Sequence, residues 1–255
     1  MSEGAAATAL LFRDDAYLRA AEAVATETLT VEIGGRAAMA VALDRTPFYA
    51  AGGGQPGDAG LLRWEVGEAA VETTVKGDPF GAPGAVLHIL SDGATPPGGG
   101  TRLQAEIDWE RRFGCMRVHT ALHLLSVVLP LPVTGGQIGP EKGRLDFDMP
   151  EPPGDKAALE ARLNALIAED HPVAAEWITD AELDAKPELV KTMAVQPPRG
   201  DGRVRLVRIG AGEAAVDLQP CGGTHVRSTA EIGAVRLGKV EKKGKQNRRV
   251  TLLLA

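Results

Sequence analysis

Two short residue pairs carry the chemistry that this sequence could perform. His119 and His123 lie four residues apart, and Cys221 and His225 lie four apart about a hundred residues later. Three imidazoles and one thiolate make a complete tetrahedral ligand set for Zn²⁺. The chain has only five histidines and two cysteines, so these pairs use most of its residues of these two types. We therefore predict a site for one zinc ion held by these four side chains.

The spacing limits the kind of zinc site. The two pairs are much too far apart along the chain for a small zinc finger. A zinc protease of the familiar kind needs a glutamate directly after its first histidine, and Thr120 stands there in this chain. Either pair alone would more often reflect packing than metal binding. Both pairs together, in a chain with so few cysteines, favour a metal.

The first pair is predicted to lie on a helix and the second in a tight loop. Residues 109–128 contain mostly good helix formers, with apolar residues at roughly helical steps. Side chains four apart on a helix share a face, with Cβ atoms about 6 Å apart, so two imidazoles can reach one ion. The second pair follows Pro220 and encloses Gly222 and Gly223, which is typical of a turn.

Composition indicates an ordinary globular chain of two modest domains. The sequence has 255 residues, with 44% hydrophobic and 24% charged residues. It shows no signal peptide and no apolar run of membrane-spanning length, and two cysteines make no disulfide framework. We therefore expect a cytoplasmic protein with no membrane partner. The net charge of −6 argues against indiscriminate nucleic-acid binding, and no DNA partner is expected. Residues 236–249 nevertheless hold seven basic residues and one acid, which indicates either a solvated strand edge or a phosphate-contacting patch.

The chain divides into a β-rich first part and a mixed second part. Short alternating segments between glycine and proline turns predict a small N-terminal β-barrel-like domain over residues 1–95. A glycine- and proline-rich stretch predicts a linker at 96–104. Residues 105–255 add the long helix, an amphipathic helix at 155–169 and a C-terminal hairpin. We expect an α+β fold with helices packed on a mostly antiparallel sheet. Extended segments are predicted at 23–32, 38–44, 60–66, 69–76, 85–90, 144–148, 174–178, 204–209, 214–218, 232–241 and 249–254.

A glycine-rich motif at residues 46–60 is the second unusual feature. Three consecutive glycines, 52–54, stand between an aromatic pair and Gln55-Pro56. Glycines permit positive φ and close approach of another backbone or of a ligand. The exposed N–H groups of such a loop can bind phosphate or a carboxylate, and the alternative is a wide turn. Because the Gly-Lys-Ser/Thr sequence is absent, this is not the phosphate loop of nucleotide hydrolases.

Three strings of this sequence resemble the editing region of alanyl-tRNA synthetase. Residues 107–126 (IDWERRFGCMRVHTALHLLS) are similar to the start of its editing domain. Residues 217–226 (DLQPCGGTHV), followed by 228–233, resemble its second signature, and residues 46–60 resemble the glycine-rich motif that precedes the domain. The strings occur in the same order and span nearly the whole chain. The chain is identified as a member of the free-standing alanyl-tRNA editing proteins of the AlaX type, in the form with an N-terminal β-barrel domain.

The resemblance implies hydrolysis of the ester that joins a wrong amino acid to tRNA(Ala), chiefly serine and also glycine. An alanine pocket discriminates poorly against one extra hydroxyl, so a second site must sort substrates by a different rule. The residues that could contact the serine hydroxyl or act in catalysis are Thr120, Gln137 and Asp146. The zinc ion would act either as a Lewis acid or only as a support for the helix and the cysteine loop. The tRNA contacts are predicted at Gly52, Gly53, Gly54, Gln55, Arg117, Lys239, Lys242, Lys243, Lys245, Arg248 and Arg249, with Arg111 and Arg112 near the site.

Two other functions remain open at this stage. The four ligands could only stabilise a tRNA-binding module that has no hydrolytic activity. A metal-dependent hydrolase of small esters or amides is disfavoured by the basic hairpin, because a small substrate needs no such patch.

Overall fold

The computed structural model describes residues 7–190, 202–212 and 215–255, and the chain divides into two compact units. Unit 1 consists of Met1–Gly52 and Pro56–Arg112, and unit 2 of Gly53–Gln55 and Phe113–Ala255. Three residues of the glycine-rich motif therefore group with the second unit, which the sequence did not indicate. The α+β class is confirmed.

Unit 1 is built from antiparallel strands. Six of them form a closed barrel in the order β2-β3-β7-β6-β5-β8, and a short parallel pair, β1 with β4, lies outside it. The predicted 96–104 linker overlaps the start of β8, which closes the barrel between β2 and β5. The strands described in this unit are β1 (Ala9–Leu10), β2 (Ala20–Ile33), β3 (Arg36–Leu43), β4 (Arg45–Thr46), β5 (Gly60–Trp64), β6 (Gly67–Lys76), β7 (Val86–Leu90) and β8 (Arg102–Ile107).

Alternation of small apolar and polar residues gives the barrel strands an inner and an outer side. In β6, Ala69 and Val71 are buried while Glu68 and Glu72 are not, and Leu62 and Leu103 join the same core. The strands predicted at 38–44, 60–66, 69–76 and 85–90 are confirmed within one or two residues at each end.

Unit 1 also buries polar groups whose hydrogen bonds are satisfied within the unit. The guanidinium of Arg112 is fully buried, forms an ion pair with Asp58 and donates to the carbonyl oxygens of Ala16 (2.9 Å) and Pro47 (2.7 Å). The burial and bonding of Arg112 favour a structural role over a contact with phosphate.

His88 is the buried histidine of the barrel. Its Nδ1 donates to the carbonyl oxygen of Val41 (3.0 Å), and its Nε2 accepts from the hydroxyl of Thr46 (2.7 Å). Burial lowers the pKa of His88 to about 4, so the ring is neutral at pH 7. Both ring nitrogens are thus bonded to the protein.

Unit 2 contains two antiparallel sheets and the described helices α1 (Trp109–Val128, which begins four residues before the division), α2 (Lys156–Ala168) and α3 (Asp180–Asp184). One sheet has the order β14-β15-β10-β9 and the other the order β11-β12-β13. The strands are β9 (Val133–Ile138), β10 (Lys142–Asp148), β11 (Val173–Thr179), β12 (Arg203–Ile209), β13 (Asp217–Pro220), β14 (Val235–Lys242) and β15 (Asn247–Leu254). The predicted terminal hairpin is confirmed as β14–β15. Part of the segment predicted at 214–218 lies outside the described residues.

Helix α1 has the predicted bounds. Asp108 caps its first turn, since its carboxylate accepts from the backbone N–H of Arg111 at 3.1 Å. Glycine allows close packing further along: a Cβ on Gly143 of β10 would come within 2.6 Å of Val118 on this helix. The part of the helix that carries His119 and His123 is therefore held closely against β10. No described helix is long and apolar enough to cross a membrane.

Candidate metal centre

The four predicted ligands come together in unit 2. One ligand atom from each of His119, His123, Cys221 and His225 lies within 4.8 Å of all the others. The sulfur of Cys221 is 3.4 Å from Nε2 of His119 and 3.2 Å from Nε2 of His225. Around a tetrahedral zinc ion, nitrogen and sulfur ligands lie roughly 3.4–3.8 Å apart. We call this cluster the metal centre, because its donor set is one that binds zinc and its ligand atoms are close enough to share one ion.

The loop that carries Cys221 is shaped by its neighbours. Arg205 of β12 donates from one guanidinium nitrogen to the carbonyl oxygens of Cys221 (2.8 Å) and Gly223 (3.0 Å). A Cβ on Gly223 would lie 2.3 Å from Cε1 of His119, whereas a Cβ on Gly222 would meet nothing within 4 Å. The loop therefore fits against the helix only because residue 223 has no side chain.

Each of the three histidines has its other ring nitrogen bonded to a buried acceptor. His119 Nδ1 is 2.9 Å from Oε1 of Gln55, and His123 Nδ1 is 2.9 Å from Oδ2 of Asp217. His225 Nδ1 is 3.1 Å from Oγ1 of Thr120. An acceptor at Nδ1 places the proton there and leaves Nε2 with a free lone pair. Such outer partners orient metal-ligating histidines and raise their basicity.

The glycine-rich motif supplies one of these outer partners. Gln55 is 2% exposed, and its Oε1 also accepts from the backbone N–H of Thr224 (3.2 Å), which fixes the orientation of its amide. Its Nε2 donates to Oγ1 of Thr224 (2.8 Å). These contacts favour a role in holding His119 over the predicted contact with tRNA, since the buried amide is already engaged through both its oxygen and its nitrogen.

The glycines of the motif bring Gln55 to this position. Gly53 and Gly54 have positive φ angles of 58° and 82°, a region that other residues rarely adopt. The carbonyl oxygen of Gly54 accepts from the backbone N–H of Ile138 (2.8 Å), and a Cβ on Gly54 would come within 2.8 Å of the carbonyl oxygen of Gly136. The part of the motif in unit 2, Gly53–Gln55, therefore lies along β9 at contact distance. Gly52 belongs to unit 1, where its carbonyl oxygen accepts from the hydroxyl of Tyr49 (2.8 Å).

The electrostatics of Cys221 and His225 match the forms that bind a metal, whereas His123 must lose a proton when a metal binds. Burial tends to raise the pKa of Cys221, but electrostatic interactions with the neighbouring rings of His119 and His225 and hydrogen bonds hold it well below its usual value, so the sulfur is a thiolate. Burial and the charge of His119 lower the pKa of His225 to about 3, so that ring is neutral. Burial opposes protonation of His123, but hydrogen bonds to Asp217 and Cys221 raise its pKa to about 9 in the absence of a metal.

The three predicted catalytic residues have different surroundings. The hydroxyl of Thr120 is buried, donates to the carbonyl oxygen of Met116 (2.9 Å) and accepts from His225 and the N–H of Val226 (3.3 Å). These bonds use the whole capacity of a hydroxyl group, so they favour a positioning role over a contact with substrate. Gln137 on β9 is exposed, and its Oε1 accepts from Arg144 at 3.2 Å.

Asp146 is held as an anion. Its carboxylate accepts from Arg144 (2.8 Å) and from both Nε (2.8 Å) and NH2 (2.9 Å) of Arg249. Partial burial acts in the opposite direction, but these bonds lower the pKa of Asp146, which makes it a weak base. The arrangement favours a structural ion pair over a catalytic role.

The predicted tRNA contacts divide into exposed and engaged residues. Arg249 is engaged with Asp146, and Arg248 is 9% exposed with its guanidinium bonded to the carbonyl oxygen of Pro150. The half-buried Arg117 donates to the carbonyl oxygen of Ile232 (2.8 Å). The burial of Arg248 favours a structural role over the predicted contact with tRNA. The exposed cations on the β14–β15 hairpin and its turn are Arg236, Lys239, Lys242, Lys243 and Lys245.

The sequence did not predict two residues that support the metal centre, Asp217 and Arg205. Asp217 stands four residues before Cys221, and a carboxylate near a ligand pair is a signal that could have identified it as an outer partner. Arg205 gives no such signal, because only the pairing of β12 with β13 brings it beside the cysteine loop.

Fold and site together define the class of the protein, and two family models agree with it. Residues 204–251, which include Cys221 and His225, match the threonyl and alanyl tRNA synthetase second additional domain. Residues 6–111 match class II (A) tRNA synthetases. The chain is thus built like the editing part of a class II aminoacyl-tRNA synthetase.

Individual relatives narrow this class to a family. The alanyl-tRNA editing protein AlaX-M of Methanosarcina acetivorans is 35% identical over 97% of this chain and 99% of its own length. AlaX-L of Pyrococcus horikoshii is 36% identical over 80% of this chain and 48% of its own. The alanine–tRNA ligase of Pyrobaculum neutrophilum is 36% identical over 91% of this chain, which spans only 25% of the ligase. The chain belongs to the AlaX family of alanyl-tRNA editing proteins and is an editing deacylase.

Proposed function

We propose that the protein hydrolyses the ester between serine and tRNA(Ala), with glycine as a second substrate, at a site that contains one zinc ion. The main support for this proposal is that three histidines and a thiolate converge in unit 2, while a hydrogen bond from Nδ1 to a buried acceptor orients each histidine ring. A core that only packs would bond both nitrogens of each ring, as the barrel does with His88, whereas here the second nitrogens of three rings meet beside a thiolate. Family membership supports tRNA(Ala) as the partner.

The residues of the metal centre have distinct roles in this proposal. His119, His123, Cys221 and His225 would hold the zinc ion. When bound, zinc supplies a Lewis acid for the ester and a rigid support for helix and loop. Gln55, Asp217 and Thr120 keep the three Nδ1 protons in place, so that the Nε2 atoms face the centre.

Gln137 is our candidate for a contact with the serine hydroxyl. It is exposed on β9, the strand along which Gly54 and Gln55 lie, and its amide can both donate and accept. A site that bonds the hydroxyl rejects alanine, because alanine would leave the amide unpaired. Thr120 supports the site from inside, and Asp146 fixes β10 to β15 through Arg249.

The first experiment compares loss of serine and of alanine from tRNA(Ala) by the purified, zinc-loaded protein. We expect rapid hydrolysis of Ser-tRNA(Ala), slower hydrolysis of Gly-tRNA(Ala), and Ala-tRNA(Ala) spared. Gln137→Ala should reduce the preference for serine over alanine about 10-fold or more, while zinc content stays at one ion per chain. Equal rates with and without protein for both wrong amino acids would reject the proposal.

The solvent-accessible lysines of the terminal hairpin are proposed as phosphate contacts. A variant with Lys242→Ala and Lys243→Ala should bind tRNA more weakly, and the slope of log affinity against log salt should fall by about 1 to 2. Arg248→Ala is the contrasting variant, because its buried side chain should change stability and leave the salt slope unaltered. An unchanged slope for the lysine variant would argue against the patch.

A further inference from the structure

One face of the three-stranded sheet leads outward from the metal centre. On β13, Asp217 pairs with Ile209 of β12, which pairs with Val173 of β11. Directly paired residues of antiparallel strands point to the same side, and this side recurs at every second residue. Arg205 and Trp177, which pair with each other, therefore lie on the same face as Asp217. That face holds the acceptor for His123 at one end and Trp177 at the other.

The face changes from buried to exposed along this path. Val207 and Ile209 are 1% and 0% exposed, whereas Trp177 is 44% exposed. The opposite face of the same sheet is covered, since Val204 and Leu206 pack with Leu183 of α3. Among the described residues, the large exposed hydrophobic side chains are Val66, Trp177 and Leu253, and only Trp177 is aromatic. An exposed indole at this place suggests a surface that receives a planar partner.

The position of Trp177 relates it to the metal centre. Its strand, β11, lies two strand spacings from β13, or about 10 Å. Cys221 follows β13 directly, and its backbone N–H donates to the carbonyl oxygen of Arg205 (3.1 Å), the residue that pairs with Trp177. A short single-stranded nucleic acid whose end lies at the metal centre can therefore reach the ring of Trp177.

A cation accompanies the ring. The guanidinium carbon of Arg203 lies 5.8 Å from the centroid of Trp177, and Arg203 is exposed. The side chain of Trp177 remains 44% exposed beside this cation. Aromatic faces beside arginines are the surfaces on which proteins stack unpaired nucleobases and neutralise the adjoining phosphates.

We propose that Trp177 and Arg203 form a stacking platform for an unpaired nucleotide at the 3′ end of the tRNA, beside the metal centre. The platform rests on the proposed function, because the ester that the protein would cleave joins the amino acid to this same 3′ end. Stacking is tolerant of sequence, because every base has a π face, so the platform would secure the tail and leave identity to other contacts.

The test is a cycle of binding measurements with uncharged tRNA(Ala), either intact or lacking its last three nucleotides. Wild-type protein should bind the shortened tRNA about 10-fold more weakly than the intact tRNA. Trp177→Ala should bind intact tRNA about 10-fold more weakly than the wild type does. It should bind the shortened tRNA as well as the wild type does. Trp177→Phe should recover binding to within about 3-fold. Leu253→Ala, another exposed apolar residue of unit 2, is the matched control and should behave as wild type.

Three outcomes would overturn the platform. The first is equal binding of both tRNAs by the wild type, and the second is a Trp177→Ala variant that binds like Leu253→Ala. The third is an equal loss by Trp177→Ala for intact and shortened tRNA, which would place the ring against another part of the partner or in a structural role. Because no ester is present, the cycle is independent of turnover. A positive cycle with no deacylation of Ser-tRNA(Ala) would reject the proposed function and keep the platform.

Discussion

His88 in unit 1 and the three histidines of the metal centre in unit 2 are all buried, but their ring nitrogens have different partners. Both nitrogens of His88 are bonded to the protein, one to Val41 and the other to Thr46. In the metal centre only the Nδ1 atoms have such partners, and the remaining nitrogens face one another and a thiolate. A buried imidazole whose two ring nitrogens are both hydrogen-bonded to the protein supports the fold. Three imidazoles that are hydrogen-bonded only through Nδ1 leave their other nitrogens available for a metal ion.

The largest effect should follow from removing a ligand. Cys221→Ala should lower zinc content from one ion per chain towards zero and reduce deacylation at least about 100-fold. Cys115→Ala is the matched control, because Cys115 is a buried cysteine of α1 outside the cluster, and its loss should cost about 1 kcal/mol of stability and no zinc. Zinc analysis after exhaustive dialysis provides the measurement. Equal zinc content in the two variants would remove the distinction between the two kinds of buried residue.

The pH dependence of stability should identify His88 as the structural histidine. The pKa of His88 is about 4 in the folded protein and 6.5 when the ring is free in water. Between these two pH values the ring binds a proton in the unfolded chain and stays neutral in the folded protein. Stability from the neutral ring is present above pH 6.5 and should fall by about 3 kcal/mol as the pH drops towards 4.

His88→Gln should lack this part of the pH dependence, while other titrating groups contribute equally to both proteins. Urea unfolding of wild type and variant between pH 7 and pH 4 measures the difference. Parallel curves for the two proteins would show that the environment of His88 does not control its titration.

A single methyl group should distinguish two adjacent glycines. Gly223→Ala would place a Cβ 2.3 Å from Cε1 of His119 and 2.9 Å from Oε1 of Gln55, which separates the ring from its orienting partner. We expect zinc affinity to fall roughly 10- to 100-fold. Gly222→Ala meets no atom within 4 Å and should bind zinc like the wild type. Competition against a chromogenic chelator measures both, and similar affinities would mean that the loop tolerates displacement of His119.

The smallest effect is expected from the outer partner itself. Gln55→Ala removes the acceptor for His119 and leaves the backbone N–H of Thr224 without its partner, so zinc affinity should fall about 10-fold. Gln137→Ala changes a glutamine that lies outside the cluster and should leave zinc affinity unchanged. If both variants bind zinc alike, the one-sided bonding of His119 does not contribute to the site.

The sequence predicted the parts of the fold that depend on local pattern. Helix α1 and the ligand pairs follow from spacing, and most strands follow from alternation between turns. Strand β9 was missed because Gly135 and Gly136 resemble a turn, whereas in the structure both lie within the strand, and a Cβ on Gly136 would come within 3.1 Å of Leu145 of β10. Strand β8 was missed because it follows directly on a glycine- and proline-rich stretch.

The roles of individual polar residues were harder to predict. Gln55, Thr120 and Asp146 were all expected to meet the substrate, since a polar residue near a motif is the only signal that sequence offers. Their partners lie far away in the chain: 64 residues separate Gln55 from His119, and 103 separate Asp146 from Arg249. Tertiary pairing decides whether such a side chain faces a ligand or is bonded within the protein.

The distant origin of Gln55 has a consequence for the order of folding. Its amide closes a loop of 169 residues when it bonds to Thr224, and the cysteine loop closes one of 102 residues when it meets His119. Closing such loops costs more entropy than forming local turns, and it must wait until the cysteine loop has left the ribosome. We therefore expect the barrel strands and α1 to form first and the metal centre to assemble last. This protein would then be able to acquire its metal only after the cysteine loop has been synthesised and has folded against α1.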